Sequence, residues 1–131
     1  MQLQDNGRCF ACGSYNPIGL RLEFKKAGSG RVACCFTPRA DYQGYAGITH
    51  GGIISTVLDE AMAHAIISQG IGAVTASMEV RFKAPVPIGS STTVEGLVRE
   101  VKERLIRAEA RLTLPDGTVA AEAVARFVRI D

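Results

Sequence analysis

Tryptophan is absent from this chain of 131 residues, and five Phe with three Tyr are all its aromatics. An interior without large rings must be assembled from Val, Ile, Leu and many Ala, which favours close backbone packing over aromatic anchors. That is a lean core for a solitary domain. An excess of charge of one sign is also missing. Fifteen basic and thirteen acidic side chains leave a formal charge of +2, and the basic residues are spread rather than clustered, which argues against nucleic acid as the main partner. No apolar run is long enough to span a bilayer. The most apolar stretch, Ile53 to Ile67, is broken by Asp59, Glu60 and His64, so no membrane partner is expected. The opening Met1-Gln2-Leu3-Gln4-Asp5-Asn6 has no basic region leading into an apolar one, so no secretory signal is expected. The four cysteines then read as thiols of a cytoplasmic protein rather than as disulfides.

What is present points to one globular domain over residues 1–131. A composition of 47% apolar and 21% charged residues excludes a disordered, collagen-like or coiled-coil chain. The first twenty residues, with Cys9-Phe10-Ala11-Cys12-Gly13 and Asn16-Pro17-Ile18-Gly19-Leu20, read as turns and loop. Leu20 to Lys26 alternates as a half-buried strand, and Gly28-Ser29-Gly30 turns it into a partner strand, Arg31 to Thr37. The segment Pro38 to Thr49 is loop, with Thr49 as the expected N-cap of a helix over His50 to Gln69, closed by Gly70 and Gly72. Ile53, Ile54, Val57, Leu58, Ala61, Met62, Ala65 and Ile66 cover more than half of that helix, so it is expected to be central. Ala73 to Lys83 alternates as a strand, and Thr118 to Ile130 is another after the Pro115-Asp116-Gly117 turn. Between them lies an ambiguity. Val94, Leu97, Val98, Val101, Leu105, Ala108 and Leu112 fall at helical spacing. The competing reading is two strands, Thr92 to Lys102 and Leu105 to Leu114, turning near Glu103-Arg104.

The chemistry concentrates in Gln43-Gly44-Tyr45-Ala46-Gly47-Ile48-Thr49-His50-Gly51-Gly52 and the helix that follows. Two glycines at a helix start expose backbone N–H groups at the positive end of the dipole, which suits an anion or a carbonyl oxygen about to become one. The plainer reading is that glycine lets a neighbouring strand approach. Asp59 is a carboxylate in an otherwise apolar helix, costly to bury unless it is paired, hydrogen-bonded or working as a base. Glu60 is expected to be the surface group of the two. Gly51 and Asp59 are eight positions apart, about 12 Å along one helix axis. A general base must lie within about 3 Å of its proton, so one chain cannot bring both groups to one reacting centre. If both work, the site combines Gly51 of one subunit with Asp59 of another across a two-fold axis.

Phe-Ala-Cys-Gly-Ser-Tyr-Asn-Pro-Ile-Gly-Leu (Phe10 to Leu20), the His50-Gly51-Gly52 to Asp59 spacing, and Val74-Thr75 to Phe82-Lys83-Ala84-Pro85 resemble the hotdog-fold acyl-CoA thioesterases, and more narrowly their phenylacetate-pathway, PaaI-like branch. The resemblance covers essentially the whole chain. It implies an α+β hotdog fold, a long central helix wrapped by a curved antiparallel sheet of five or six strands, and homodimers that often pair into homotetramers. It also favours two strands in the ambiguous stretch. The implied function is a hydrolase converting an acyl-CoA thioester to a carboxylic acid and CoA, with CoA entering as substrate and no cofactor or metal required. Gly51 resembles the backbone group that polarises the carbonyl, with His50 shaping the loop. Asp59 resembles the catalytic carboxylate, as general base or as nucleophile, and Thr75 a hydroxyl that holds the attacking water. Many relatives carry Asn where this chain has Gly44, and the adjacent Gln43 offers an amide in its place. Gly44, Gly52, Arg81 and Lys83 complete the expected substrate-binding set, with Arg39 a further candidate for CoA phosphates.

Other signals are weaker. Cys9 and Cys12 form a C-x-x-C that vicinal Cys34 and Cys35 would have to complete for zinc. Neighbouring strand residues point to opposite faces, so the four are not expected to converge. His64, four residues after Glu60, reads as a hydrogen-bonded, non-catalytic histidine. Two rivals to hydrolysis are an acyl-thioester dehydratase or hydratase, which needs a histidine base upstream where Gln43 stands, and a non-catalytic acyl-CoA-binding module.

Overall fold

The computed structural model describes residues 3–131, so Met1 and Gln2, the start of the segment read for a signal, lie outside it. Among the described residues the regular elements are one long helix, α1 (Gly51–Ile67), and six strands: β1 (Lys25–Gly28), β2 (Arg31–Phe36), β3 (Ala73–Phe82), β4 (Thr92–Lys102), β5 (Leu105–Thr113) and β6 (Val119–Arg129). A short 3-10 turn covers Ala40–Tyr42. The strands form one antiparallel sheet in the order β1-β2-β4-β5-β6-β3. The helix touches every strand from β2 to β6, so the sheet curves around it. This is the hotdog arrangement the resemblance implied. None of the described helices is long and apolar enough to cross a membrane.

The helix buries the face its periodicity marks out: Ile54, Val57, Leu58, Ala61, Met62, Ala65 and Ile66 are buried, and Ile53 is half-buried. Its cap differs from expectation. His50 (φ −60°, ψ 134°) is the N-cap, its Nδ1 accepting the Gly52 N–H at 2.8 Å. The imidazole nitrogen reaches the second helical amide as a short hydroxyl would. Thr49 is buried instead, its Oγ1 donating to the Val86 carbonyl at 2.9 Å. The chain leaves the helix through Gly70 at φ 75°. Gly72 holds position through its N–H, which donates to Asp131 Oδ2 at 2.8 Å.

The ambiguous stretch is a hairpin, β4 and β5, turning at Glu103-Arg104 with Lys102 opposite Leu105. Alternation decides it: Ile106, Ala108, Ala110 and Leu112 are all buried against the helix side. Of the residues at helical spacing, Val101 is exposed while Val94 and Leu112 are buried, so that set never shares one face. Burial in a sheet overrode local helical propensity. Gly96 shows how close the helix lies, since a Cβ there would sit 2.1 Å from the Ala61 carbonyl oxygen.

One strand is shifted. Leu20 to Phe24 does not pair with β2. The Leu20 and Leu22 amides donate to the carbonyls of Phe10 and Ala11 at 2.8 and 2.9 Å, so this segment anchors the N-terminal loop. Arg21 at φ 56° breaks the extended backbone there, and β1 begins only at Lys25. Leu22 is nonetheless buried, so the inward face was read correctly although the pairing was not.

Gly96→Ala forces its methyl into a helix carbonyl rather than into a flexible side chain. It should destabilise the protein by about 3 kcal/mol, seen as a lowered urea midpoint with an unchanged m-value.

Candidate active site

The loop before the helix is a small hairpin of its own. The His50 amide donates to the Tyr42 carbonyl at 2.8 Å, the Gly44 amide to Ile48 at 2.9 Å, and Gly47 turns the tip at φ 80°. Gln43 is spent on this loop: its Nε2 donates to the Ala40 carbonyl at 2.8 Å, and its Oε1 accepts the Gly47 amide at 2.6 Å. Both ends of the amide that was expected to face substrate are thus engaged in shaping the approach to His50. Gly44 lies against His50, where a Cβ would meet its Cα at 3.4 Å and Cδ2 at 3.5 Å.

At the helix start the two glycines do different things. The Gly52 amide is capped by His50, and a Cβ at Gly52 would press on that ring at 3.0 Å. Gly51, the first helical residue, keeps an N–H with no intrahelical acceptor, at the positive end of the dipole. A Cβ at Gly51 would meet only the Phe82 ring, at 3.5 Å, an ordinary contact distance, so close packing by itself does not demand glycine there. Phe82, part of the motif that carries the resemblance but not a predicted site residue, is 55% exposed beside that amide.

Asp59 is half-buried, and its Oδ1 accepts the Thr75 hydroxyl at 2.7 Å. A bulge makes this contact possible. In the β3–β6 ladder Thr75 faces Phe127 but Ser77 faces Arg126, leaving Ala76 unmatched. The extra residue switches faces. Thr75 therefore shares the helix side with Met78, Val80 and Phe82, whereas unbroken alternation along Ala73 to Lys83 would set it on the other face with Ser77, Glu79 and Arg81. Nothing in the sequence signals this bulge.

His50, Gly51, Gly52 and Gly44 thus gather at one end of α1, and Asp59 with Thr75 gathers about 12 Å further along it. Both lie on the flank where the sheet ends at β3. That strand is an edge, nearly all exposed, with Val74, Met78 and Phe82 uncovered. Arg81 and Lys83 are not brought to this flank: they occupy the outer side, near Glu79 at 3.4 Å and Glu122 at 2.9 Å respectively. Arg39 pairs with Asp41 at 2.6 Å and lies over the Tyr42 ring.

A second cluster lies on another face of the helix. Glu60 is not a surface group: its side chain is only 15% exposed and sits 3.6 Å from Cys9 Sγ and 3.1 Å from His64 Nε2. Burial works to raise the Glu60 pKa, but His64 and the two thiols, Cys12 and Cys9, more than offset it and hold it below the usual value. Burial, then the Glu60 charge, push the Cys12 thiol well up. His64 stacks on Phe24 at 5.0 Å between ring centroids. Its Nε2 pairs with Glu60 Oε1 at 3.1 Å, in a contact off the alignment of a full hydrogen bond. Cys34 is buried and Cys35 exposed, on opposite faces as expected. C-x-x-C was visible in the sequence, but its meeting with Glu60 needed the loop to fold over the helix.

His50→Ala removes the cap and should cost about 1 kcal/mol of stability. Thermal unfolding checks this, and His50→Asn, which restores a side-chain acceptor, should recover most of the loss.

The sequence model of the Thioesterase superfamily matches residues 46–121, more than half of the chain and the part that holds both halves of the site. The acyl-coenzyme A thioesterase THEM4 of Xenopus laevis is 28% identical over 101 residues, 76% of this chain and 46% of its own length. The chain spans about half the length of the curated relatives it matches. The crystal structure of RHA08564, a thioesterase superfamily protein, aligns with a TM-score of 0.88 and 25% identity, over 93% of this chain and 60% of its own. The PaaI protein of E. coli, from a phenylacetic acid degradation operon, shares the fold at a TM-score of 0.80 and 22% identity, over 86% of this chain and 81% of its own. With a family match that runs through the helix and the two glycines at its start, the chain belongs to the thioesterase superfamily.

Proposed function

We propose that this protein is a PaaI-like acyl-CoA thioesterase whose sites are each completed by two copies of the chain. The observation that carries the reading is the uncapped Gly51 amide at the open flank of α1, with a threonine-held Asp59 on the same flank but out of its reach. The thioester carbonyl oxygen binds at the Gly51 N–H. Asp59 of the partner subunit takes the proton of an attacking water, or attacks the carbonyl itself. The oxyanion that forms is stabilised by the Gly51 amide and the helix dipole. Its collapse expels the CoA thiolate, which is protonated to CoA. The water route gives the carboxylic acid directly, while the nucleophilic route leaves a mixed anhydride on Asp59 that a water then hydrolyses to the acid and free Asp59. Thr75 orients Asp59, while His50, Gly44, Gly52 and Gln43 hold the loop that presents Gly51. These steps need no metal or redox cofactor, and the setting is cytoplasmic.

The exposed edge β3 supports the two-copy site. Ten residues of unpaired strand edge with apolar side chains are a template for another strand. Antiparallel pairing of two β3 edges about a two-fold axis sets two α1 helices side by side in opposite directions, and two such dimers build a tetramer. Arg81 and Lys83, on the outer face, would then meet CoA phosphates only at the rim that a second copy forms. The dehydratase reading is weakened by His50, whose Nδ1 lone pair is occupied by the Gly52 amide.

Asp59→Asn should lower kcat for acyl-CoA hydrolysis by roughly 10²–10⁴ with little change in KM. Gly51→Pro removes one N–H yet suits the first helical position, because His50 already has the extended backbone that precedes proline. It should lower kcat by about 10²–10³. Randomly mixed dimers of the two variants should regain about one quarter of wild-type activity, since half are mixed and each has one intact site. Cleavage of no acyl-CoA in a broad panel, or full activity in Asp59→Asn, overturns the reading. A mixture as inactive as its parents, or a strict monomer by light scattering, overturns the shared site.

A further inference from the structure

We propose that Cys9, Cys12 and Glu60, with His64 beside Glu60, form a binding site for a zinc-class divalent cation that pins the N-terminal loop to the helix. The placement is specific. The loop turns back on itself where the Gly13 amide donates to the Cys9 carbonyl at 2.8 Å. A Cβ at Gly13 would lie 2.4 Å from the Cys9 nitrogen and 2.5 Å from the Gly7 carbonyl, so glycine is required for the turn that presents both thiols together. Glu60 supplies the helix side of the cluster, with His64 one turn further on against its carboxylate.

The distances suit a small tetrahedral ion. The ligand atoms of Cys9, Cys12 and Glu60 lie within 4.8 Å of one another. With metal–sulfur bonds of about 2.3 Å and metal–oxygen bonds of about 2.0–2.2 Å, the tetrahedral S···O edge is about 3.6 Å. Cys9 Sγ is 3.6 Å from Glu60 Oε2. His64 Nε2 stands beside the other carboxylate oxygen, 3.1 Å from Oε1, where an outer partner orients a ligating carboxylate.

Charge and support argue the same way. Among the described residues no Lys or Arg pairs with Glu60, so a mostly buried carboxylate stands beside two thiols with only an imidazole near it. A divalent ion neutralises this group, both thiols ligating as thiolates and releasing their protons to solvent. Two sulfurs and a carboxylate suit zinc and not magnesium or calcium. The loop also needs an anchor: residues 5–24 contain no helix or strand, which is long for an unsupported connection. The role is structural and separate from hydrolysis. Its ligands line a different face of the helix from Asp59.

The test is titration of the untagged full chain with cobalt(II) under reducing conditions, followed by displacement with zinc. One equivalent should bind with a thiolate-to-cobalt charge-transfer band and tetrahedral ligand-field absorption, and zinc should raise the melting temperature. Cys9→Ser and Cys12→Ser should abolish the thiolate band, and Glu60→Gln and His64→Ala should each weaken zinc binding about tenfold or more. Cys35→Ser should bind like wild type. Asp59→Asn should also bind like wild type, which separates this proposal from the hydrolysis reading. A wild-type cobalt spectrum without a thiolate band, no shift in melting temperature with zinc, or binding unchanged in Cys9→Ser and Cys12→Ser overturns the proposal, and the wild-type titration decides without reliance on any variant's folding.

Discussion

The closeness of α1 to the sheet governs this structure. At Gly96 the strand and helix backbones approach so tightly that a single methyl has no room. The same economy runs through the core, where Ala61 of the helix shares one buried cluster with Ala108, Ala110, Ala121, Ala123 and Ala125 of the sheet. Small side chains on both surfaces let the layers approach, so many weak dispersion contacts replace a few large aromatic ones. Phe127 and Phe36 are the large rings that this core buries.

Close wrapping on one flank leaves the other open. The sheet covers the helix from β2 across to β6, but β3 is both an edge and nearly bare. The groups with chemistry in them lie along this open flank, with the Gly51 amide beside Phe82 at one end and Asp59 with Thr75 at the other. Their separation is set by helical rise alone. A single chain therefore holds the two groups apart, and only the proposed pairing of two copies would bring them together.

Asp59 and Glu60 show how neighbouring carboxylates acquire different environments. A step of one residue rotates a side chain by about 100° around the helix. Asp59 points to the open flank and a hydroxyl, while Glu60 points under the N-terminal loop to two thiols and a histidine. The loop segment Leu20 to Phe24 takes its hydrogen bonds from Phe10 and Ala11 rather than from β2, and this is what brings the C-x-x-C over Glu60.

The sequence by itself determined what depends on local order: the helix and its buried face, the glycines at its start, the eight-residue step from Gly51 to Asp59, and the alternation of β6. These follow from periodicity and from the geometry of a single element. Tertiary structure alone decided the rest. The stretch from Thr92 to Leu114 has helical spacing and becomes two strands because each can bury a small-residue face against α1. Thr75 reaches Asp59 only through an unmatched Ala76, since one extra residue against a partner strand reverses a face. Glu60 turns inward because a loop fifty residues earlier in the chain folds over it, and no local pattern records a contact across that distance.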